Sequence, residues 1–386
     1  MGLAACSSDP QIFGPSYDGG SDSPPQNDGA KNDVVTTDVV TTDVASDAPS
    51  CTSQIAFIGG NGTSAFGAGG PPSNIVSATI PGTLLDVPKP VAITRLGSGL
   101  LAVIAQADGT LVSSPYGTSW ADPAPVASAK TIDSPALATI SQTGHLVYQG
   151  ADYKYYHAQY TQSAWDAATD PVGGSGSSQS FGAKAPAAAS AGSDLVIVQG
   201  GSDSYLYDQT WNVSWQAAHK QGSAGIQNTI SPAAISLMGG TSDLLAAYLR
   251  NADYKVMAVA RSAGTWTSSP MQIDPNAFTN DPLALAPLPG GKALLVFRGT
   301  DQKPYFSTWD GASTWTAPAP VVTNANPSVL SAPSIAPGVC GADAIIAWAE
   351  SGGGVRWSTF TSGTFSSPQS LAGTSGAKFV AVATLP

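Results

Sequence analysis

Strong helix-forming residues are scarce in this chain. Glutamate occurs once, at Glu350, and Lys and Arg together account for only 15 of the 386 residues. Glycine and proline, which both disfavour the interior of a helix, number 42 and 30. A composition poor in helix formers and rich in turn residues predicts an all-β fold, in which many short strands are joined by tight turns.

The sequence also lacks long apolar runs and clusters of positive charge. No stretch of 18 or more apolar residues occurs, so the sequence contains no candidate transmembrane helix. The net charge is −11, and Lys and Arg are scattered. Because binding to phosphate groups needs clustered positive charge, this pattern argues against nucleic acid as a partner.

Residues that could support catalysis or bind a metal ion are few. The three histidines, His145, His157 and His219, do not have the spacing of zinc ligands, and no acidic calcium loop is present. A glycosidase needs a matched pair of carboxylates, and no local pair stands out. We therefore predict a non-enzymatic protein without cofactor or metal, and a degenerate glycosidase, sialidase or lyase is the least favoured alternative.

A large aromatic residue recurs along the chain at intervals of 45 to 51 residues. A proline near the start of each unit recurs with the same period, which indicates a repeat architecture. The aromatic positions are Trp120, Trp165, Trp215, Trp266, Trp315 and Phe365. The proline positions are Pro90, Pro135, Pro186, Pro232, Pro282 and Pro333.

Each repeat has the pattern of four short strands. In the second repeat, an apolar strand follows Pro135, a second runs from His145 to Gln149, a third includes Tyr160, and Trp165 opens the fourth. Four strands in about 50 residues are the signature of a β-propeller blade. An aromatic residue at one position of every blade is either part of the packing between blades, which we favour, or a platform for sugar stacking.

Six repeats cover residues 88–373, which leaves segments 52–87 and 377–384 unpaired. Joined together, the two segments supply the strands of one more blade and satisfy each other's edges. We therefore predict that residues 51–386 form a seven-bladed β-propeller with four-stranded blades, the last of which is closed by both chain ends. Cys51 and Cys340 are predicted to form a disulfide within this domain.

Residues 1–50 have a different composition. They contain eight aspartates and one lysine, and they are rich in Ser, Pro and Thr, so we predict a disordered acidic linker. The segment from Leu3 to Cys6, followed by Ser7, resembles a bacterial lipobox. That resemblance implies lipidation of Cys6 and an exported protein that is lipid-anchored at the bacterial outer membrane or cell surface.

An aspartate recurs at the turn between the second and third strands of five repeats. It either caps its own turn through its side chain or belongs to a ring of polar binding sites on the rim. Nearby tyrosines and arginines favour a role in sugar binding, because a sugar offers both C–H faces and hydroxyls. The candidate ligand-binding residues are Asp108, Asp152, Tyr153, Asp203, Tyr205, Arg250, Asp253, Tyr254, Arg298, Asp301, Tyr305, Arg356 and Trp357.

The fifth repeat carries the motif Arg298-Gly-Thr-Asp301, then Tyr305, Trp309 and Trp315. It resembles the repeat of the bacterial seven-bladed propeller lectins of the Photorhabdus type, which bind fucose-like or O-methylated sugars between blades without a metal. The resemblance implies a multivalent carbohydrate-binding protein whose partner is a glycan or glycoconjugate. Most other repeats lack the arginine before the turn. The alternative is a structural propeller that binds another envelope protein.

Overall fold

The computed structural model of the protein consists almost entirely of β-strands. Among the residues it describes there are 32 strands and one 3-10 turn, at Pro289–Gly291. None of the described residues forms a helix long and apolar enough to cross a membrane. The all-β prediction is confirmed. The structure describes residues 51–80, 89–161, 164–166, 170–172, 185–221, 232–236, 244–267, 269–322 and 328–386.

Six blades follow one another along the chain, numbered one to six. Blade one comprises β4 (Ala92–Leu96), β5 (Gly99–Ala105), β6 (Thr110–Tyr116) and β7 (Ala124–Lys130). Blade two comprises β8 (Ala136–Ile140), β9 (Thr143–Gln149), β10 (Tyr155–Thr161), β11 (Ala164–Trp165) and β12 (Asp170–Pro171). Blade three comprises β13 (Ala187–Ala191), β14 (Asp194–Gly200), β15 (Leu206–Asn212), β16 (Ser214–Trp215) and β17 (His219–Lys220). Blade four comprises β18 (Ala233–Ser236), β19 (Leu244–Leu249), β20 (Val256–Ser262), β21 (Thr265–Trp266) and β22 (Met271–Gln272). Blade five comprises β23 (Ala284–Leu288), β24 (Lys292–Arg298), β25 (Pro304–Trp309) and β26 (Ala319–Pro320). Blade six comprises β27 (Ser334–Pro337), β28 (Ala344–Ala349), β29 (Val355–Thr361), β30 (Thr364–Phe365) and β31 (Gln369–Leu371).

The seventh blade joins the two ends of the propeller. Its outer strands are β1 (Gln54–Gly60), β2 (Ala65–Gly70) and β3 (Val76–Ile80), and its innermost strand is β32 (Phe379–Leu385) near the C-terminus. Strands β1 and β32 pair antiparallel along their whole length, so β1 is hydrogen-bonded on both edges, to β2 and to β32. The predicted closure of the last blade by both chain ends is confirmed.

The innermost strands of all seven blades form a closed ring. Each innermost strand contacts the innermost strand of the next blade, and β32 contacts both β27 and β4. The ring encloses a cavity of about 910 Å³ whose wall consists mostly of small residues. The structure therefore confirms a seven-bladed propeller of four-stranded blades, in which the fourth strand is divided into two short pieces in four of the blades.

The recurring aromatic residues pack between blades. The Trp120 indole Nε1–H donates to the Phe57 carbonyl oxygen of the seventh blade at 3.0 Å, and Trp165 Nε1–H donates to Ser113 Oγ of blade one at 2.9 Å. Phe365 packs edge-on against Phe306 of blade five, with ring centroids 5.0 Å apart. The packing role favoured from the sequence is thus confirmed at these positions, and it explains why the aromatic period equals the blade period.

A disulfide links the seventh blade to blade six. Cys51 lies just before β1, and Cys340 lies in the turn between β27 and β28. Their Cα atoms are 5.5 Å apart, and the bond spans 289 positions of the sequence. The predicted pairing is confirmed. The predicted linker of residues 1–50 and the lipidation site Cys6 lie outside the described residues.

Candidate functional site

The five recurring aspartates all cap the turns in which they lie. These aspartate turns connect the second and third strands of blades one to five. In each turn a carboxylate oxygen accepts a hydrogen bond from the backbone N–H two residues later, at 2.9 to 3.4 Å. The residue between the two has a positive φ, which places a non-glycine residue in the left-handed region at Tyr153, Ser204, Tyr254 and Gln302.

Three of the aspartate turns share a further contact. A tyrosine four residues after the aspartate donates its hydroxyl hydrogen bond to the second carboxylate oxygen. The pairs are Tyr156–Asp152 at 2.8 Å, Tyr207–Asp203 at 2.8 Å and Tyr305–Asp301 at 3.0 Å. Each tyrosine ring thus lies back against its own turn, which fixes an aromatic face at the same place in blades two, three and five.

A glycine two residues before the aspartate makes room for that ring. A Cβ atom on Gly299 would lie 2.7 Å from the Tyr305 ring, and Cβ atoms on Gly150 and Gly201 would lie 2.7 and 2.5 Å from Tyr156 and Tyr207. Since real Cβ atoms do not approach so closely, the ring position requires glycine. The spacing Gly-x-Asp-x-x-x-Tyr occurs in three repeats, and it would have identified Tyr156 and Tyr207, which the sequence prediction missed.

The hydrogen bonds within these turns alter the acidity of their side chains. At Asp203, partial burial raises the pKa, but hydrogen bonds from the Tyr207 hydroxyl and the Tyr205 N–H outweigh it and lower the pKa below its usual range. Burial, together with the hydrogen bond to Asp203, raises the pKa of Tyr207 to about 12. At neutral pH the carboxylate is therefore charged and the phenol is neutral, which is the pairing that the contact needs.

The predicted arginines bind groups of the protein itself. Arg250 forms a two-pronged ion pair with Asp253, with distances of 2.8 and 2.5 Å. Arg298 binds the Asp281 carboxylate through Nη1 at 2.7 Å and donates through Nε to a backbone carbonyl of the neighbouring blade. Arg356 binds Glu350 at 3.1 Å. These contacts hold the turns and the interface between blades five and six, and each guanidinium charge is paired with a carboxylate of the protein.

The predicted aromatic residues differ in exposure. Trp357 is only 3% exposed and packs 6.0 Å from Phe57 between blade six and the seventh blade, so its assignment to the rim is corrected. Both faces of a propeller blade are covered by neighbouring blades, so strand alternation does not separate a core residue from a rim residue. Tyr153 and Tyr254 project from their turns and are 50% and 46% exposed. The Lys220 ammonium lies over the Tyr205 ring at 3.3 Å.

A cavity of about 320 Å³ lies between blades four and five, next to one aspartate turn. We call it the four–five cavity. One wall is the connection that follows β22, and the other is the turn of blade five with the segment before β26. Its main lining side chains are Asp274, Asn276, Phe278, Asp301, Tyr305 and Pro318.

The four–five cavity combines ring faces with hydrogen-bond acceptors and donors. Tyr305 packs on the buried Phe297 ring at a centroid distance of 5.9 Å, and Asp301 holds the Tyr305 hydroxyl. On the facing wall, Asp274 Oδ1 accepts the Asn276 backbone N–H at 2.7 Å and shapes the loop that carries Phe278. The prediction included Asp301 and Tyr305 but missed Asp274, Asn276 and Phe278, because the connections between blades do not repeat in sequence.

A second cavity, of about 200 Å³, lies between the seventh blade and blade one. Gly67 and Gly69 form its floor beside the rings of Trp120 and Tyr116, and Asp122 stands at its edge. Over the described part of the chain, no group of three or more His, Cys, Asp or Glu side chains could hold a metal ion.

Solved structures to which this chain is similar include proteins named as lectins. The BP39L lectin from Burkholderia pseudomallei superposes with a TM-score of 0.65 at 16% identity, over 84% of this chain and 96% of that chain. This comparison shows the fold. AofleA from Arthrobotrys oligospora (TM-score 0.52, 14% identity, 76% of this chain and 89% of that chain) and the fucose-specific lectin from Aleuria aurantia (0.52, 13%, 73% and 97%) are also similar. No protein-family model and no curated protein matches the chain.

Proposed function

We propose that the protein is a non-catalytic carbohydrate-binding propeller. The observation that carries the proposal is the four–five cavity, where Phe278 and Tyr305 lie in one cavity with Asp274, Asn276 and Asp301. At about 320 Å³ its volume is near the lower end of ligand pockets, which suits a single sugar unit.

The lining matches the two kinds of surface that a pyranose offers. The C–H face of a sugar packs on an aromatic ring, and its hydroxyl groups donate to carboxylate and amide oxygens. The ring of Tyr305 is held by its hydroxyl contact with Asp301, at 3.0 Å, and by Phe297 beneath it. A ring fixed before the ligand arrives loses little conformational freedom on binding, which favours affinity.

Repetition of the Gly-x-Asp-x-x-x-Tyr turn supports more than one binding position. The same contact occurs in blades two, three and five, so similar tyrosine faces lie at similar heights around the propeller. Weak sites that bind one multivalent glycan or surface together gain affinity through effective concentration. The similarity in fold to proteins named as lectins supports the same function class.

Specificity for fucose-like sugars is not carried over from the resemblance in sequence. Arg298, which precedes the turn in the fifth repeat, is bound to Asp281 at 2.7 Å and to the Val329 carbonyl oxygen. Its charge is therefore paired within the protein, and Arg298 does not line the four–five cavity. We therefore assign ligand contact in the four–five cavity to Phe278, Tyr305 and the acidic and amide side chains.

Substitution of Phe278 by alanine should abolish or strongly weaken glycan binding at this cavity. We expect the purified propeller to bind a subset of glycans on an array and Phe278→Ala to lose about 1 to 3 kcal/mol of binding free energy, as on removal of a stacking ring. Val213→Ser is a matched control, because Val213 is an apolar residue that is 86% exposed and lies in a hairpin outside the cavity lining.

The array distinguishes the proposal from its main alternative. If the propeller at high surface density binds none of the glycans, the carbohydrate proposal is wrong, and the alternative of an envelope-protein partner is favoured. If glycans bind but Phe278→Ala and Val213→Ser bind as the unaltered protein does, carbohydrate binding stands and its assignment to this cavity is wrong.

We also propose that Cys6 is lipidated and that the propeller is displayed at a bacterial surface. The support is the Leu3 to Cys6 motif, followed by an acidic segment up to residue 50 that suits a tether. In bacterial cells, the full chain should partition into the detergent phase of a cloud-point extraction, and Cys6→Ser should remain in the aqueous phase. Equal partitioning of the two proteins would show that Cys6 carries no anchor.

A further inference from the structure

The four–five cavity is lined by two carboxylates and by no cationic side chain. Asp274 and Asp301 stand on opposite walls, and Asn276, Phe278 and Tyr305 complete the polar and aromatic surface. No lysine, arginine or histidine is among the described lining residues, so the cavity offers no cationic partner to an anionic ligand. The result is a cavity with aromatic walls and negative charge.

The two carboxylates are not equivalent. Asp301 is satisfied on both oxygens, by the Lys303 N–H at 3.2 Å and by the Tyr305 hydroxyl, and its ion partner Lys303 Nζ lies 3.8 Å away. Asp274 accepts one hydrogen bond, from the Asn276 N–H, and forms no ion pair with any described residue. Asp274 is therefore the carboxylate with free acceptor capacity at this cavity.

The cation that lies beside Phe278 is Lys255, and it is paired with a carboxylate outside the cavity. Lys255 Nζ is 3.9 Å from Asp253 and lies 5.6 Å from the centroid of the Phe278 ring, and it does not line the cavity. The arrangement places a positive charge beside Phe278 already, which shows that this ring tolerates a neighbouring cation. Asp274, by contrast, forms no ion pair with any described residue and remains available to a ligand.

We propose that the four–five cavity binds an amino sugar whose protonated amine pairs with Asp274 while a C–H face of the ring packs on Phe278 or Tyr305. This inference rests on the proposed carbohydrate-binding function and names its ligand class. An ammonium group donates hydrogen bonds to the Asp274 carboxylate and supplies the positively charged partner that this carboxylate lacks. An N-acetylated or neutral sugar can donate hydrogen bonds to Asp274 but brings no positive charge, and an anionic sugar is repelled by both carboxylates.

The test compares methyl glycosides that differ only in the group at the ring carbon C2, which is an amine, an acetamide or a hydroxyl. Methyl glucosaminide, methyl N-acetylglucosaminide and methyl glucoside are titrated into the purified protein by calorimetry at low salt and neutral pH. We expect the charged glycoside to bind about tenfold more tightly than the neutral ones, the gain of one charge-assisted hydrogen bond. The advantage should shrink as ionic strength rises, because part of it is Coulombic.

Asp274→Asn should remove the preference for the charged glycoside, since asparagine keeps the shape and one acceptor but loses the charge. Asp194→Asn is the matched control, because Asp194 begins β14 in blade three and does not line the cavity. The control variant should keep the tenfold preference, which is about the effect of a single charge-assisted contact. The salt dependence of the unaltered protein is an independent measurement if Asp274→Asn does not fold.

Three kinds of result would overturn the inference, each in a different way. Equal affinity for charged and neutral glycosides, or a preference that survives Asp274→Asn, would show that the cavity does not select an amine, while carbohydrate binding itself would stand. Binding of none of the three glycosides, at concentrations where the array shows glycan capture, would show that the cavity does not hold an amino sugar, while carbohydrate binding itself would stand. No glycan capture at all would instead remove the proposed function.

Discussion

Lowering the pH from about 7 to about 4 should destabilise the propeller by on the order of 6 kcal/mol, about 3 for each member of a buried pair of histidines that resists protonation. His145 Nδ1 and His157 Nε2 are 3.0 Å apart, and each side chain is 2% exposed. Burial lowers the pKa of His145 to about 4, and burial with the proximity of His145 lowers the pKa of His157 to about 3.

The direction of this pH effect follows from which state, folded or unfolded, binds protons more readily. In the unfolded chain each histidine titrates near pH 6.5, at about its unperturbed value. As the pH falls below that value, the unfolded state takes up protons that the folded state refuses, so the free energy of unfolding falls until the folded pKa values are reached. Packing against Trp211 and Trp215 of blade three, at centroid distances of 4.9 to 5.3 Å, leaves no room to hydrate a charged imidazole pair.

Denaturant unfolding monitored by tryptophan fluorescence between about pH 7 and pH 5 measures the effect in a window where carboxylates contribute little. His145→Leu/His157→Leu should flatten the dependence on pH, and His219→Gln, an exposed residue, should leave it unchanged. A free energy of unfolding that is constant over this window in the unaltered protein would contradict the prediction, as would a slope that persists in the double variant.

Removing the disulfide should lower the free energy of unfolding by about 2 to 5 kcal/mol. Cys51 and Cys340 join the two blades that flank the point where the chain ends meet, and the loop they close spans 289 positions. A cross-link over so long a loop restricts the unfolded chain strongly. Without it, closure of the ring depends on the pairing of β1 with β32 and on the packing of the seventh blade against its neighbours.

Cys51→Ser/Cys340→Ser is compared with Cys6→Ser in denaturant unfolding with and without a reducing agent. The double variant should unfold at lower denaturant concentration and should not respond to reducing agent. The Cys6→Ser protein should be as stable as the unaltered chain and should lose stability on reduction. Equal stability of all proteins under both conditions would show that the bond adds nothing to ring closure.

The fold was predictable from the sequence because its markers are tied to structure in every blade. Trp120 and Trp165 pack on the preceding blade at matching positions, so their spacing counts blades. The closure could be predicted because β1 and β32 are complementary leftovers at the two chain ends. These features arise from backbone pairing and core packing, which repeat with the chain.

The candidate site was only partly predictable, because ligand contact depends on residues that do not repeat. Asp301 and Tyr305 belong to the repeated turn and were included. Asp274 and Phe278 lie in a connection between blades, and no pattern in the sequence indicates that this connection faces the Asp301 turn. Trp357 was misplaced because it lies in a strand whose two faces are both covered, so its aromatic character indicated packing rather than binding.

The most direct test of the central claim is a crystal structure of residues 51–386 with the glycan that binds best on the array. We predict density for a sugar ring in the four–five cavity, packed on Phe278 or Tyr305 and in hydrogen-bond contact with Asp274. A sugar bound only elsewhere, for example in the central cavity of about 910 Å³, would contradict the account, and so would an empty four–five cavity in crystals grown at saturating glycan.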